Sequence, residues 1–575
     1  MERLLREPGL CCRLPQGCPG GIGTVSSSIA AADEVVDPSA DGRLSVRVRI
    51  GVTGHRDLAD ADAIAVAVRE RLREIEKRFR SSAGTPVVFV VYSALAEGAD
   101  RVVAHEAFGV FGEGRVQLTA VLPLSIDDYQ SDFTGAASRS EFGDLLERAA
   151  ALRQMPSEGS RNQAYARAGR WLVERCDVLI AVWDGRWSGE QGGTAETVRY
   201  AHEQGVPVLV VPAARAGNPP GSADSATPTV GVAVDRVPRL ALDRVDELNR
   251  LRLRDPGPHR QLVALESRLE GIVGESSLAS EFELVAGWAL PRLVRADWLA
   301  RKYQRLHYRL AGSLYVSAAL AVTAVAIQIE AGLSERFAFV EVALLCAALA
   351  MFAVARWLGP HERWLGYRSL AEAFRAGLFI ALTGSKPGSD ADEEGELATT
   401  DEPWFQRVFS QAWEQRPKVP IEPSHARELR RVLIAGWIDD QIQYLQRTEQ
   451  RLKRERGLLT NAVFLLFAAT LLVGLLHALG LSGAHGSHNW LAFLAISLPG
   501  FAAALAGIRD QRDFRIHEQR CKRTARQLSH LRDDLETRPT LPAVQRLAAE
   551  AQAILASESL EWSNVVEFKE LDLAL

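Results

Sequence analysis

The chain has 575 residues, too many for one ordinary domain, and its composition of 47% hydrophobic and 24% charged residues is that of a folded protein. The formal net charge of -5 is small and does not favour a nucleic-acid partner. The six cysteines show neither a CxxC pair nor a zinc-ligand spacing. We therefore expect reduced thiols and no metal site.

The first residues, MERLLREPGL, are not followed by an apolar run of signal-peptide length. Residues 1–43 are rich in Gly, Ser and Ala and predict a disordered leader.

From residue 44 the chain alternates apolar, β-rich runs with helical patterns. Five strands are predicted, in LSVRVRIGVTG, TPVVFVVYSAL, VQLTAVLPL, CDVLIAVWDG and VPVLVVP. The third is followed by PLSIDDY and then by polar, helical sequence up to the fourth. This alternation predicts an α/β domain over 44–213, with a doubly wound, mostly parallel, Rossmann-like sheet. Ligands of such sheets bind at the carboxyl ends of the strands, where the strand order reverses.

Polar turns containing glycine follow three of these strands. Their candidate ligand-binding residues are Gly51, Thr53, Gly54, His55 and Arg56 after the first, Ser93, Glu97, Gly98, Asp100 and Arg101 after the second, and Gly192, Gly193, Thr194, Glu196 and Thr197 in the GGTAET stretch after the fourth. Glycine lets the backbone approach a ligand, and N–H groups at a helix start attract anions. Any one turn has a purely conformational explanation. Three turns converging on one sheet edge favour a phosphate-bearing ligand, and we expect no other cofactor.

Glu196 has several possible roles. It lies near the start of a helix, where a carboxylate favours the helix dipole, and it could instead bind ribose hydroxyls or act as a general acid or base. Trp183 and Trp187 fit either stacking on a base or core packing.

Residues 214–283 predict a linker and a helical connector. Beyond it, four apolar stretches of about twenty residues each are long enough to cross a bilayer, at 310–329, 337–355, 458–479 and 490–508. The alternative is buried core helices of a large soluble domain, but the length and the lack of charge favour an all-α region with four transmembrane helices.

Basic residues crowd the outer ends of the two hairpins. They are Arg301, Lys302, Arg305 and Arg309 before the first stretch, Arg356, Arg363 and Arg368 after the second, Arg451, Lys453, Arg454 and Arg456 before the third, and Arg509, Arg512, Arg515, Arg520 and Lys522 after the fourth. The positive-inside rule predicts a multi-pass protein of the inner (cytoplasmic) membrane with both termini in the cytoplasm.

The hairpins also form a repeat, because a basic helical pattern beginning His-Glu follows each one, at His361 and His517. We predict two-span modules at 284–384 and 424–540, an acidic linker at 385–423 between them, and a helical tail at 541–575.

The motifs GVTGHR, SALAEGADRVVAHEA and GGTAETVRYA, in this order and spacing, resemble the SLOG superfamily, which unites the DNA-processing protein A fold with the lonely-guy phosphoribohydrolases. ALAEGADRVVAHEA is similar to a stretch of the DNA-processing proteins. GGTAET is similar to the lonely-guy phosphate motif, which is longer and places its glutamate later. The resemblance implies a nucleotide-sensing domain.

The hairpin layout and the basic helix after each hairpin resemble the SLATT effectors, two-span membrane modules found beside SLOG domains in bacterial conflict systems. Together the resemblances imply a membrane effector in which a nucleotide-derived signal gates a pore in the lipid bilayer during anti-phage defence. A four-span subunit is too small for a pore by itself, so we expect a homo-oligomer. The alternative is an enzyme, a membrane-tethered hydrolase of a nucleotide N-glycosidic bond with Glu196 as its catalytic residue. A transporter or scaffold with a regulatory nucleotide domain is the third hypothesis.

Overall fold

The computed structural model describes residues 42–81, 84–156, 158–187, 192–214, 236–274, 276–384, 403–479, 490–538 and 540–567. Within these residues the chain forms two compact units. The first takes residues 42–252 and 403–415, and the second takes 253–384 and 416–567. The predicted leader up to Asp41, residues 385–402 of the acidic linker and the loop of the second hairpin lie outside the described residues.

The first unit contains a six-stranded parallel sheet. Its strands are β1 (Val46–Gly54), β2 (Val87–Ser93), β3 (Val116–Leu122), β4 (Ala151–Gln154), β5 (Val178–Trp183) and β6 (Val208–Pro212). The strand order is β4-β3-β2-β1-β5-β6, so the order reverses between β1 and β5. This confirms the predicted doubly wound sheet. The edge strand β4 was not predicted, because it has four residues and is largely exposed, so no apolar run marks it.

The remaining elements are helical. In chain order they are α1 (Ala61–Arg78), α2 (Ala99–Phe111), α3 (Ile126–Gln130), α4 (Gly135–Glu147), α5 (Arg161–Arg175), α6 (Thr194–Glu203), α7 (Arg236–Arg250), α8 (Pro256–Val273), α9 (Ala279–Glu330), α10 (Ala338–Leu358), α11 (Pro360–Leu382), α12 (Trp404–Glu414), α13 (Ala426–Leu433), α14 (Asp439–Ala478), α15 (Trp490–Gln511), α16 (Phe514–Thr537) and α17 (Leu541–Glu567), with 3₁₀ turns at Glu335–Phe337 and Pro423–His425 and a π turn at Ile434–Ile438.

Local sequence explains where several of these helices begin. The Asp60 carboxylate accepts a hydrogen bond from the Ala63 N–H at 2.9 Å and caps α1. Ser160 and Gln163 form a reciprocal capping box at the start of α5. Apolar residues of α5, β5 and α6 form a buried cluster that includes Leu172, Leu179 and Val198. Caps and apolar faces of this kind hold the helices on the sheet and so place the loops at its carboxyl edge.

Helix α12 belongs to the first unit although it lies between the two hairpins in the sequence. The Arg407 guanidinium forms an ion pair with Asp177, and both side chains are almost fully buried. Asp177 also accepts a hydrogen bond from the Arg49 N–H at 2.8 Å, so one carboxylate joins α12 to the start of β5 and to β1. The stretch predicted as a linker therefore contains a helix that packs on the sheet domain.

Four helical stretches of the second unit are long and apolar enough to cross a membrane, with mean hydropathies of 2.0, 2.5, 2.3 and 2.1 and few buried residues. They are α9, the stretch Glu335–Leu382, the stretch Pro423–Ala478 and the stretch Trp490–Thr537. Large apolar side chains are exposed on them, such as Phe339 (74%), Phe464 (70%) and Leu471 (77%). A surface of this kind is stable only against lipid or another protein surface. The four predicted spans are confirmed at this level.

The second unit has a tandem layout. In each half, a long helix (α9 or α14) pairs with a shorter apolar helix (α10 or α15), and the helix that follows (α11 or α16) packs back on the long one. The turn before α11 places Gly359 in the left-handed region (φ 52°, ψ 49°), and the turn before α16 places Asp513 there (φ 42°, ψ 40°). In both halves, therefore, a residue in the left-handed region separates the second helix from the third.

The basic flanks of the spans lie together. The Arg512 guanidinium after the fourth span stacks on the Tyr308 ring before the first, 4.9 Å from its centroid. Arg512 also bonds to Glu455, which precedes the third span, at 3.4 Å. The Tyr308 ring in turn contacts Trp364, which follows the second span, with centroids 5.5 Å apart. Basic residues on which the predicted membrane orientation rests therefore lie together at one end of the helix bundle.

Candidate ligand site at the carboxyl edge of the sheet

The end of β1 is tied to the end of β5, at the point where the strand order reverses. The buried His55 imidazole lies 3.2 Å from the Asp184 carboxylate, and its Nε2 accepts the Asp184 N–H at 3.2 Å. The His55 N–H donates to the Val182 carbonyl at 3.1 Å. His55 therefore holds two strand ends together, which is the position where ligands of doubly wound sheets bind.

Gly54 and Gly98 allow the end of β1 to touch the start of α2. A Cβ at Gly98, whose φ is +81°, would lie 2.1 Å from the Arg56 carbonyl oxygen. A Cβ at Gly54 would lie 2.3 Å from the Ala99 Cβ. The Ala99 N–H donates to the His55 carbonyl at 3.1 Å, across this contact. Only glycine fits at these two positions, so both turns predicted from the sequence contribute to one junction.

Asp100 and Arg101 are buried at the start of α2. The Asp100 carboxylate accepts the Ala96 N–H at 3.3 Å, and burial raises its pKa from 3.8 to about 6. The Arg101 guanidinium donates to the Leu95 carbonyl at 3.1 Å and to the Ser138 carbonyl, the Ser138 hydroxyl and Glu141, each at 2.9 Å. A buried cation and a buried carboxyl therefore lie side by side at a helix N-terminus.

Glu97 is occupied by the neighbouring helix α4. Its carboxylate accepts the Thr134 N–H at 2.7 Å, the Thr134 hydroxyl at 2.9 Å and the Ser138 hydroxyl. Burial alone would raise the pKa of Glu97, but these hydrogen bonds outweigh it and lower the pKa. Glu97 is therefore ionised and serves to hold α4 against the turn after β2.

A chain of basic, aromatic and acidic residues completes the site, and no sequence motif predicted it. Arg56 donates to the Tyr165 hydroxyl at 2.8 Å, and Tyr165 donates to Asp132 at 2.5 Å. Burial and the Asp132 hydrogen bond raise the pKa of Tyr165 to about 12, so the phenol is neutral. Arg161 pairs with Asp132 at 2.6 Å. The stretch PLSIDDY is the only sequence signal near these residues, since Tyr165 lies in an ordinary amphipathic helix.

Two buried polar atoms here have no hydrogen-bond partner among the residues that the structure describes. They are the Tyr129 hydroxyl and Nη2 of Arg101, on side chains whose exposed fractions are 0% and 3%. Tyr129 interacts electrostatically with Asp100, Tyr165 and Arg56. Because buried polar groups are normally paired, the cluster has donors available for a polar ligand.

The raised pKa of Asp100 predicts a pH dependence of stability. The native state retains a proton on Asp100 where the unfolded chain has released it. The stabilising effect of that proton is full below the unfolded pKa of 3.8 and is lost as the pH rises through about 6. We expect Asp100→Asn to gain stability relative to the parent protein as the pH rises from about 4 to 7, by at most about 3 kcal/mol. Urea unfolding at several pH values measures this.

Asp132→Asn is the matched control for that experiment. Burial raises the pKa of Asp132, but hydrogen bonds from Tyr165 and Arg161 outweigh it and lower the pKa. The ionised Asp132 carboxylate stabilises the folded protein above the pKa of the unfolded chain, and this stabilisation is lost as the pH falls. Asp132→Asn should therefore lose stability relative to the parent as the pH rises, the opposite slope. Parallel slopes for the two variants would contradict the assignment of Asp100.

The GGTAET turn forms the N-terminus of α6. The Glu196 carboxylate accepts the Gly192 N–H at 2.6 Å through one oxygen and pairs with Arg170 at 3.2 Å through the other. A Cβ at Gly192, whose φ is +84°, would lie 2.8 Å from the Tyr165 Cβ. Tyr165 therefore contacts both the α6 turn and Arg56, and it links the two groups of candidate residues.

The remaining candidate residues lie in the same strands and turns and make contacts that stabilise the fold. A Cβ at Gly51 would lie 2.3 Å from the Leu172 Cδ2, so this glycine lets α5 pack on the middle of β1. The Ser93 hydroxyl accepts the Leu95 N–H at 3.0 Å, and the Thr197 hydroxyl donates to the Gly193 carbonyl at 3.4 Å. Thr53 and Thr194 are half-buried at the end of β1 and the start of α6.

The two tryptophans after β5 have different environments. Trp183 is buried in the apolar cluster, and Trp187 is 57% exposed and packs edge-on against it, with ring centroids 4.9 Å apart. Core packing therefore accounts for Trp183, and Trp187 is the ring accessible from solvent.

The chain therefore belongs to the class of proteins that combine a doubly wound α/β domain with helices long and apolar enough to span a membrane, of which it has four among the described residues. A family described as a protein of unknown function (DUF4231) matches residues 295–394, which cover the first span pair and α11. No curated protein matches the chain.

Proposed function

We propose that this chain is a membrane effector in which the α/β domain senses a nucleotide-derived ligand and controls the state of the four-helix membrane region. The observation that carries the proposal is the cluster at the reversal of strand order, where Arg56, Arg101 and Tyr129 present donors beside the glycine contact of β1 with α2. Arginine and helix N-terminal N–H groups are the usual ligands of phosphate.

The connectivity of the chain supports coupling between the units. Among the described residues, the first unit takes the chain up to 252 and again from 403 to 415, and the second unit takes 253–384 and the residues from 416 onward. Both hairpins are therefore joined covalently to the domain that carries the site. A ligand that binds two conformations of the α/β domain with different affinities would shift the membrane region with it.

Because the sequence resembles SLOG and SLATT proteins, we propose that this effector acts in a bacterial response to phage. Four spans are few for a pore within one subunit, so we propose a homo-oligomer in the inner membrane with its basic end toward the cytoplasm.

Sensing is favoured over hydrolysis by the contacts of Glu196. Both oxygens of this carboxylate have structural partners: one accepts the Gly192 N–H and the other pairs with Arg170. Stabilisation of the α6 turn therefore accounts for Glu196 without a catalytic role.

The test uses the full-length protein in detergent with a panel of linear and cyclic nucleotides, NAD and ADP-ribose derivatives. A bound ligand at a hundred times its dissociation constant should stabilise the protein by about 2.7 kcal/mol, seen as a higher melting temperature. Recovery of the ligand intact supports a sensor, and dye leakage from liposomes tests the membrane step. Consumption of the ligand that is lost in Glu196→Gln would establish the enzyme instead.

Arg56→Ala should weaken binding of the ligand found in this way by about tenfold or more, because a hydrogen bond to a charged group contributes about 1.5–3 kcal/mol. Isothermal titration of the detergent-solubilised protein measures the change. Arg199→Ala is the matched control, since Arg199 is exposed on α6 and pairs loosely with Glu203 at 3.9 Å. Equal affinities for the two variants would exclude Arg56 from the site.

A further inference from the structure

A basic cleft lies in the second unit where the third span begins and the fourth ends. Its volume is about 880 Å³, and it is lined by residues of α14, α15 and α16. Four cationic side chains line it, Lys453, Arg456, Arg509 and Arg515, against two acidic ones, Asp510 and Asp513. The cleft is far larger than a water site and carries a net positive lining.

Some charged side chains of the cleft form ion pairs, and others are exposed. Arg509 pairs with Asp510 at 3.0 Å, and Arg456 pairs with Glu518 at 3.2 Å, so these guanidinium groups are held in place. Lys453 and Arg515 are exposed on opposite walls. The hydroxyl of Thr460 and the amide of Asn461 add polar groups to the lining. Together these groups fit an anion of phosphate size.

The cleft continues into an apolar stripe along α14. Lys453, Gly457 and Asn461 follow one another at helical spacing, and the same face then presents Phe464 (70% exposed), Leu471 (77%) and Leu475 (56%). A molecule with an anionic head and acyl chains would place its head in the cleft and its chains on this stripe. A soluble anion would use only the cleft.

We propose that this cleft binds the phosphate of an anionic phospholipid from the leaflet at the basic end of the bundle. Basic pockets between membrane helices recognise such headgroups, and each Lys or Arg near the membrane surface strengthens the binding of anionic lipid. The site lies between α14 and the α15–α16 turn. A bound lipid would therefore bridge α14 and the turn at which α15 ends.

The test uses the full chain in detergent with dihexanoyl phosphatidylglycerol, dihexanoyl phosphatidylcholine and inorganic phosphate, with the melting temperature as readout. Phosphatidylglycerol should raise the melting temperature at concentrations where the other two do not. Arg515→Glu should weaken this effect roughly tenfold or more. Arg454→Glu is the matched control, because Arg454 is an exposed arginine of α14 that does not line the cleft.

Gly457→Trp tests the cleft by shape rather than by charge. A Cβ at Gly457 has no atom within 4 Å, so the side chain fits and fills the cleft. Gly474 is equally open on the same helix, outside the cleft, and Gly474→Trp should bind like the parent. Equal effects of the two phospholipids, an equal effect of inorganic phosphate, or unchanged binding in both Arg515→Glu and Gly457→Trp would overturn the proposal.

Discussion

Replacing Arg407 with alanine should lower the unfolding free energy of the α/β domain by about 3–5 kcal/mol. The variant leaves Asp177, 2% exposed, without the guanidinium that offsets the cost of burying its charge. The Arg49 N–H still donates to the carboxylate, but a neutral amide does not replace a cation. Hydrogen exchange of the β1 and β5 amides in the full-length protein measures the loss.

Glu414→Ala provides the control within the same helix. Glu414 pairs with Arg47 of β1 at 2.5 Å, but its side chain is 57% exposed. Exposed pairs contribute about 0–1 kcal/mol, so the loss should be small. Similar small losses for both variants would show that the Arg407–Asp177 pair is solvated in solution.

The Arg407 variant also bears on coupling. Because α12 lies between the two hairpins in the sequence, loosening it should remove one of the routes by which we propose that the α/β domain acts on the membrane region. We expect ligand to stabilise the α/β domain of Arg407→Ala while its effect on dye leakage is reduced.

Gly98→Ala is the second change with a large expected effect. The residue has φ +81° and ψ −120°, a backbone conformation that costs an alanine about 1–3 kcal/mol, and its Cβ would lie 2.1 Å from the Arg56 carbonyl oxygen. Overpacking against backbone adds about 1–3 kcal/mol, so a total of about 2–6 kcal/mol is expected. The β1–α2 junction must open, and binding of the proposed ligand should be lost with it. Urea unfolding and ligand titration measure the two effects.

Gly112→Ala separates backbone strain from the clash. Gly112 ends the same helix, has φ +78°, and a Cβ there has no atom within 4 Å. Gly112→Ala should show only the backbone strain, about 1–3 kcal/mol, with ligand binding retained. If Gly98→Ala is no worse than Gly112→Ala, the close contact of β1 with α2 does not constrain the site.

The sequence predicted those features that depend on local patterns. Apolar runs alternating with helical periodicity identify the sheet domain, and runs of about twenty apolar residues identify the spans, since both patterns record which side chains avoid water. Glycines between a strand and a helix identified the turns, because a left-handed or closely packed backbone excludes a Cβ, as at Gly98 and Gly192.

The tertiary structure alone decided which distant residues meet. Asp177 and Arg407 are 230 positions apart, and Arg56 and Tyr165 are 109 apart, so no periodicity or motif relates them. The short strand β4, the two roles of Tyr165 and the basic cleft have the same origin. Each depends on how the chain folds back on itself, and its free energy comes from burial and pairing between elements that local sequence does not connect.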